Sequence, residues 1–323
     1  MLGEVPAMQD LLIDPSTGWP DVAGPWQGLG FVDLAQCLPD TCIARLPPFP
    51  VIGLGNAGHP IAQALDAVVE PPVSAEALIR QTSRVPHAAA VAMQLLRSLE
   101  NLPVERALPL ESFCYGLLQG SAEHQAWLAA RHCAESPAPP GRVVVERRNA
   151  GLHITLDRPA ARNAIDRAMR DQLVDAFTMA ALDTDINMIR LRAVGTAFSV
   201  GADLAEFGTT RDPATAHLIR SRTLPAQVIS LRPEILNVHV QGACVGAGLE
   251  MAAFAGRLTA APDAWFQLPE LAMGLIPGAG GCISVPRRIG KQRAALMILS
   301  GRRINATTAL RWGLIDAIEA EAC

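Results

Sequence analysis

The sequence has little with which to hold a nucleic acid or cross a membrane. Its 323 residues include one tyrosine, aromatic side chains make up 4%, and 31 acidic residues face 27 lysines plus arginines, for a formal charge of −4. Without a polybasic footprint or rings for bases to stack on, nucleic acid and anionic lipid are disfavoured as main partners. No apolar run reaches the length of a spanning helix, and MLGEVPAMQDLLID lacks the basic start and long apolar stretch of a secretory leader. The seven cysteines, at positions 37, 42, 114, 133, 244, 282 and 323, are odd in number and form no CxxC pair. Reduced thiols fit this usage better than a disulfide framework, so the expected location is the cytoplasm. No spacing of His, Asp or Glu suggests a metal site, and no internal repeat or low-complexity tract is visible. What remains is a globular chain, half apolar, long enough for two domains and a sizeable core.

Its organisation changes in mid-chain. Residues 1–50 hold short pieces such as MQDLLID and FVDLAQCL among Pro, Gly and Trp, and read as an irregular leader. PFPVIGLGNAGHPIAQALDAVVE superficially matches GxGxxG at Gly53, Gly55 and Gly58. However, prolines 47, 48 and 50 break the preceding run, and no further βαβ units follow. A tight turn between a short strand and a helix is the favoured reading, and a nicotinamide site the rival. Helical patterns then run through SAEALIRQTSRV, HAAAVAMQLLRSLENL and LPLESFCYGLLQGSAEHQAWLAARHCAE, with Phe113, Leu117 and Leu118 assigned to one face and His124, Trp127 and Leu128 to another. The expected division is a mostly helical N-terminal domain over 1–134, a Pro-rich linker over 135–141 and an α/β domain over 142–323.

In that second domain RVVVERR, an NAG turn and LHITLDRP predict a hairpin. Met169, Leu173 and Phe177 give the following helix its apolar face. VQGACVGAGLEMAAFAG then reads as an apolar strand entering a helix through a glycine turn, leaving amides near Ala247 and Gly248 free for negative charge. Glu250 lies just inside that helix, and Glu270 follows a proline in the next loop. Two carboxylates beside a carbonyl oxygen held by free N–H groups are the requirements for moving protons around an enolate.

LDRPAARNAI, AFSVGADL, RPEILNVHVQGACVGAGLE, FQLPELAMGLIPGAGG and IGKQRAALMILSGRRINATTALRWGLID occur in the order found in the crotonase superfamily, the enoyl-CoA hydratase/isomerase family, which residues 142–318 resemble. The resemblance implies a ClpP/crotonase-like spiral of β-β-α units and an acyl-CoA thioester as substrate, with coenzyme A part of that substrate and no other cofactor. It implies that the backbone N–H groups of Ala202 and Ala247 form an oxyanion hole. Glu250 would activate water and Glu270 would protonate the α-carbon. Ala161, Arg162, Ala164, Gly201, Asp203, Leu204, Gly246, Pro269 and Gly278 would line the substrate and CoA site. A homo-oligomer, trimer or hexamer, and a place in fatty acid metabolism are implied as well. Retention of both glutamates favours hydration or dehydration of a 2-enoyl-CoA. The rivals are double-bond isomerisation, C–C cleavage, thioester hydrolysis on the same scaffold, or an acyl-CoA-binding pseudoenzyme.

Plainer roles stand beside these. Asp203 suits a local cap or ion pair, Arg162 a surface side chain or a phosphate contact, and His239 a satisfied core histidine. Nothing near Cys244 or Cys282 suggests an activated thiolate. Typical members of the family continue past GLID as helices that cover the site. This sequence ends at Cys323, so the N-terminal region is expected to cover that surface instead.

Overall fold

Alternating burial along LHITLDR and LNVHV lets one face of each strand enter a core while the other carries polar groups. The structure, a computed structural model, describes residues 6–16, 28–39, 41, 43, 45–131 and 138–320. In chain order the strands are β1 (Gly30–Asp33), β2 (Val51–Leu54), β3 (Ala67–Val68), β4 (Arg142–Arg148), β5 (Gly151–Asp157), β6 (Met188–Ala193), β7 (Leu236–Val240), β8 (Ala243–Val245), β9 (Arg257–Ala260), β10 (Trp265–Gln267), β11 (Ile304–Asn305) and β12 (Ala317–Ile318). The helices are α1 (Ala75–Thr82), α2 (Pro86–Ser98), α3 (Val104–Gln119), α4 (Ala122–Ala130), α5 (Arg167–Leu182), α6 (Pro213–Thr223), α7 (Pro225–Ile229), α8 (Ala247–Ala252), α9 (Gly281–Ile289), α10 (Lys291–Ser300) and α11 (Ala306–Trp312). Six strands form one sheet in the order β12-β9-β7-β6-β5-β4, parallel except for the β4–β5 hairpin. A second sheet runs β11-β10-β8.

Local chemistry explains most boundaries. Asn149 takes the positive φ of the hairpin turn, whereas Gly151 is already in the strand. The Asp166 carboxylate accepts from the Met169 amide and starts α5, whose Met169, Leu173 and Phe177 are buried as the periodicity predicts. Asn305 caps α11, and Gly313, in the left-handed region, ends it. After Gly201 the chain makes only a single 3-10 turn, Leu204–Glu206, capped by Asp203.

The N-terminal region departs from its sequence reading in two ways. Its helices α1–α4 stand as expected, but the stretch read as an irregular leader contributes β1 to a parallel sheet with β2 and β3 ahead of them. These strands span two to four residues, too short for a periodic signal. After β2 the chain enters a 3-10 turn, Pro60–Ala64, rather than an α-helix. The space above Gly53 is filled by Leu34, Leu65 and Val68. The buried face of α3 is also not the expected one. Leu118 is buried, but Phe113 and Leu117 are exposed, and the inward positions belong to Ala107, Leu108, Glu111 and Ser112. The helix turns a polar side inward because Glu111 has amide donors to meet there, described below.

One core joins the two regions. Ala294 to Leu299 of α10 are all buried, which requires cover on every side of that helix. The cover comes from α9 on one side and from α1, α2 and β3 on the other. Polar ties cross the same boundary: the Arg293 guanidinium and the Trp312 indole N–H both donate to Glu70, and Gln292 donates to the Ala62 carbonyl. Residues 135–137 of the expected linker lie outside the described residues; Ala138 and Pro139 give their carbonyls to Arg158.

Two outcomes follow from this packing. Residues 138–323 expressed alone should expose the outer side of α10 and appear aggregated or molten by circular dichroism and gel filtration; a soluble, cooperative fragment would contradict the shared core. Glu111→Ala should orphan two buried amides and lower unfolding free energy by about 2–4 kcal/mol in denaturant titration.

Candidate active site

β8 delivers the chain to Gly246, whose φ of 48° lies outside the range most side chains tolerate. A Cβ there would also stand 2.6 Å from Glu270 Oε1, so the glycine is what lets the turn lie against that carboxylate. α8 then begins at Ala247, with its first amides lacking intrahelical acceptors. Across from it, a bridge from Ser199 to Cys244 carries the segment leading to Gly201 and Ala202. The Cβ position of Gly201 is 3.7 Å from the Ala247 nitrogen, which brings the two amide-bearing turns together. Neither the Ala202 nor the Ala247 N–H donates to an acceptor among the described residues.

These turns open on a cavity of about 770 Å³. Glu250 and Glu270 both line it and are almost wholly buried. Glu250 Oε2 accepts from the Ala279 amide at 2.6 Å and the Gly281 amide at 2.8 Å. Burial raises its pKa to about 7, with those two donors opposing the rise. Glu270 is raised well above the ordinary value, first by burial and then by the charge of Glu250. Its Oε2 has no hydrogen-bond partner among the described residues. The environments thus separate the two acids: Glu250, with two amides of the next turn on one oxygen, ionises more readily than Glu270, which has an unpartnered oxygen and the charge of Glu250 against it.

Two residues that sequence reasoning missed come from α3. Glu111 accepts from the Gly280 amide at 2.7 Å and the Cys282 amide at 2.8 Å, and burial followed by the Glu250 charge raises its pKa. Tyr115, the single tyrosine of the chain, lines the cavity; a Cβ on Gly278 would lie 2.3 Å from its ring. Burial is the main cause of its raised pKa, with Glu250, Glu270 and Glu111 adding to the rise. The isolated tyrosine was the only available signal, and nothing in the spacing linked it to residues more than a hundred positions away. On α4, His124 donates from Nδ1 to the Met273 carbonyl at 2.8 Å, fastening the segment after Glu270; burial lowers its pKa.

The remaining expected site residues divide. Arg162, Gly201, Asp203, Leu204, Gly246, Pro269 and Gly278 line the cavity together with Ala202 and Ala247, whereas Ala161 and Ala164 do not. Ala164 is buried and gives its carbonyl to Arg158. Asp203 has the plain role, capping Ala205 and pairing with Arg158 at 2.7 Å. Arg162, held at a φ of 50°, is exposed at the mouth, where Arg167, Arg170 and Arg303 also stand. His239 bonds Thr259 through Nδ1, and burial pushes the Cys244 and Cys282 thiols up. Among the described residues no group of three or more His, Cys, Asp or Glu is placed to hold a metal, and no helix is long and apolar enough to cross a membrane.

Comparison with known proteins bears on the same region. A 2,3-dehydroadipyl-CoA hydratase of Escherichia coli is 36% identical over 176 residues, covering 54% of this chain and 68% of that protein. Among solved structures, AtuE of Pseudomonas aeruginosa superposes with a TM-score of 0.51 at 30% identity, covering 56% of this chain and 70% of its own. An enoyl-CoA hydratase/isomerase from Mycobacterium abscessus gives 0.50 at 36%, covering 55% and 70%. The matched part therefore spans about two thirds of each relative. The sequence model of enoyl-CoA hydratase/isomerase matches residues 146–323, more than half of the chain. With that match, the relatives and the crotonase fold in agreement, the chain belongs to the enoyl-CoA hydratase/isomerase family.

Proposed function

We propose that this protein adds water to the double bond of a 2-enoyl-CoA, and removes it in reverse, through an enolate of the thioester. The observation that carries the reading is one cavity holding two buried glutamates of unequal acidity beside two unspent backbone amides. The thioester oxygen accepts from Ala202 and Ala247. As charge moves onto that oxygen, each preorganised donor lowers the barrier by about 3–4 kcal/mol.

Glu250, in its ionised form, takes a proton from water as the oxygen attacks the β-carbon. Glu270, still protonated, gives its proton to the α-carbon as the enolate collapses. The product carries the hydroxyl on the β-carbon and the new hydrogen on the α-carbon, and the two acids have exchanged protonation states. Transfer through solvent resets them. The orphaned Glu270 oxygen supports this assignment, because a buried carboxylate oxygen that no donor meets makes ionisation costly.

The arginines at the mouth, Arg162, Arg167, Arg170 and Arg303, suit the phosphates of coenzyme A, which enters as part of the substrate. The Arg162 guanidinium has no ion pair or hydrogen bond among the described residues, which leaves it available for that contact. A cytoplasmic location belongs to the same proposal and is supported by the free thiols of Cys37, Cys114, Cys244 and Cys282. Assembly into a homo-oligomer rests on the family resemblance.

Two measurements test the mechanism. Glu250→Gln and Glu270→Gln should each lower kcat for hydration by about 10²- to 10⁴-fold while calorimetry still detects a saturated acyl-CoA. Turnover surviving Glu250→Gln but lost in Glu270→Gln would instead indicate a one-acid isomerase. In the unmodified enzyme kcat/KM for hydration should fall as pH drops through about 7, where Glu250 gains a proton and ceases to be a base. It should fall again at high pH as Glu270 loses the proton it must donate.

A further inference from the structure

Arg220, in the last turn of α6, lines the same cavity as the two glutamates. Each of its nitrogens meets a neutral acceptor on α3: Nε donates to Ser112 Oγ at 2.9 Å, Nη1 to Gln119 Oε1 at 2.8 Å and Nη2 to the Ser112 carbonyl at 3.1 Å. No carboxylate pairs with it among the described residues. Glu111 is near enough for its charge to act on Arg220, but its oxygens are committed to the Gly280 and Cys282 amides. A guanidinium has five N–H donors, so one on each Nη is unspent. A half-buried cation whose hydrogen-bond partners are all neutral is only partly compensated by the Tyr115 ring and the Glu111 charge, and a ligand anion would relieve the rest.

Its position indicates which part of a ligand it meets. The guanidinium lies over the Tyr115 ring at 4.7 Å from the centroid, and that ring packs on Gly278, next to the amides that hold Glu250. Tyr115 thus meets both Arg220, on the side of α3 and α6, and the turn whose amides hold Glu250. Ile219, Leu224, Met251 and Met273 make the surrounding wall apolar. An acyl chain leaving the thioester along Tyr115 would run over hydrocarbon and end at a fixed cation. Planar guanidinium geometry matches a carboxylate with two parallel hydrogen bonds.

We propose that Arg220 is a specificity-determining residue that binds a carboxylate at the far end of the acyl group, so that the preferred substrates are short enoyl-CoA thioesters of dicarboxylic acids. This rests on the hydratase reading above, and it names the substrate class of that site. The two unspent N–H groups receive the distal carboxylate. Ser112 and Gln119 hold the fork in place, which makes the N-terminal helix α3 part of the selectivity filter.

The test compares kcat/KM for 2,3-dehydroadipyl-CoA, its terminal methyl ester and 2-hexenoyl-CoA. The unmodified enzyme should favour the free carboxylate by about 10- to 100-fold, the range for a hydrogen bond between charged partners. Arg220→Met should collapse that ratio, chiefly through KM, and Arg220→Lys should recover part of it. A wild-type preference for the ester or the hexenoyl chain overturns the proposal. So does an Arg220→Met variant in which all three substrates fall together, the pattern of a clamp between α6 and α3. Should Arg220→Met fail to fold, the acid-to-ester comparison on the unmodified enzyme still decides. Should none of the three be hydrated, the hydratase reading fails on its own. Calorimetry of the same thioesters then reads the carboxylate preference separately, and equal affinities would overturn it.

Discussion

Four consecutive amides at the start of α9 serve two carboxylates in alternation: Ala279 and Gly281 donate to Glu250, Gly280 and Cys282 to Glu111. A helix start has more N–H groups than it can satisfy internally, and here both acceptors are buried acids from separate parts of the chain. Glu250 reaches the amides from α8 and Glu111 reaches them from α3. The donors keep buried carboxylates tolerable, and the carboxylates hold the PGAGG turn in one conformation. The rest of the site hangs on that arrangement. Without it Glu250 would lack the groups that keep its acidity near neutrality, and α3 would lose its deepest contact with the family core.

Burial is the first cause of the raised pKa at all three glutamates, and backbone N–H donors oppose it at each. Glu250 has two amides on one oxygen, Glu111 has one on each oxygen, and Glu270 has one buried oxygen with no partner among the described residues. A base needs ionisation at working pH and an acid needs the opposite, and the lower position of Glu250 against Glu270 is the inequality on which the proposed roles rest. Like charges in close quarters strengthen the separation, because ionisation of one carboxylate opposes ionisation of the next.

The parts legible in the sequence were those whose chemistry is local. Strand β8, its glycine turn, Glu250 four residues on, the capped helices and the β4–β5 hairpin each leave a signature within a dozen residues. Glu111, Tyr115 and Arg220 leave none. The inward side of α3 is made of Ala107, Leu108, Glu111 and Ser112, while Phe113 and Leu117 point out, so hydrophobic periodicity selected the wrong face. The partners of Glu111 lie 169 and 171 residues away, and only the folded chain brings them together. The parallel sheet β1–β3 escaped notice for another reason. Its strands are very short, and prolines at 47, 48 and 50 obscure the start of the central one.

The α3 helix also separates two kinds of heritable change. Within three turns it presents Glu111 to the amides of α9, Tyr115 to the cavity and Gln119 to Arg220. The turns proposed to hold the thioester oxygen lie on other elements, at Ala202 and Ala247. Substitutions at positions 115 and 119 can therefore reshape what the cavity accepts without disturbing the geometry at the reacting carbons. A lineage carrying this helix could change substrates by drift on one short segment, with position 111 kept fixed as the hinge pin of the whole assembly.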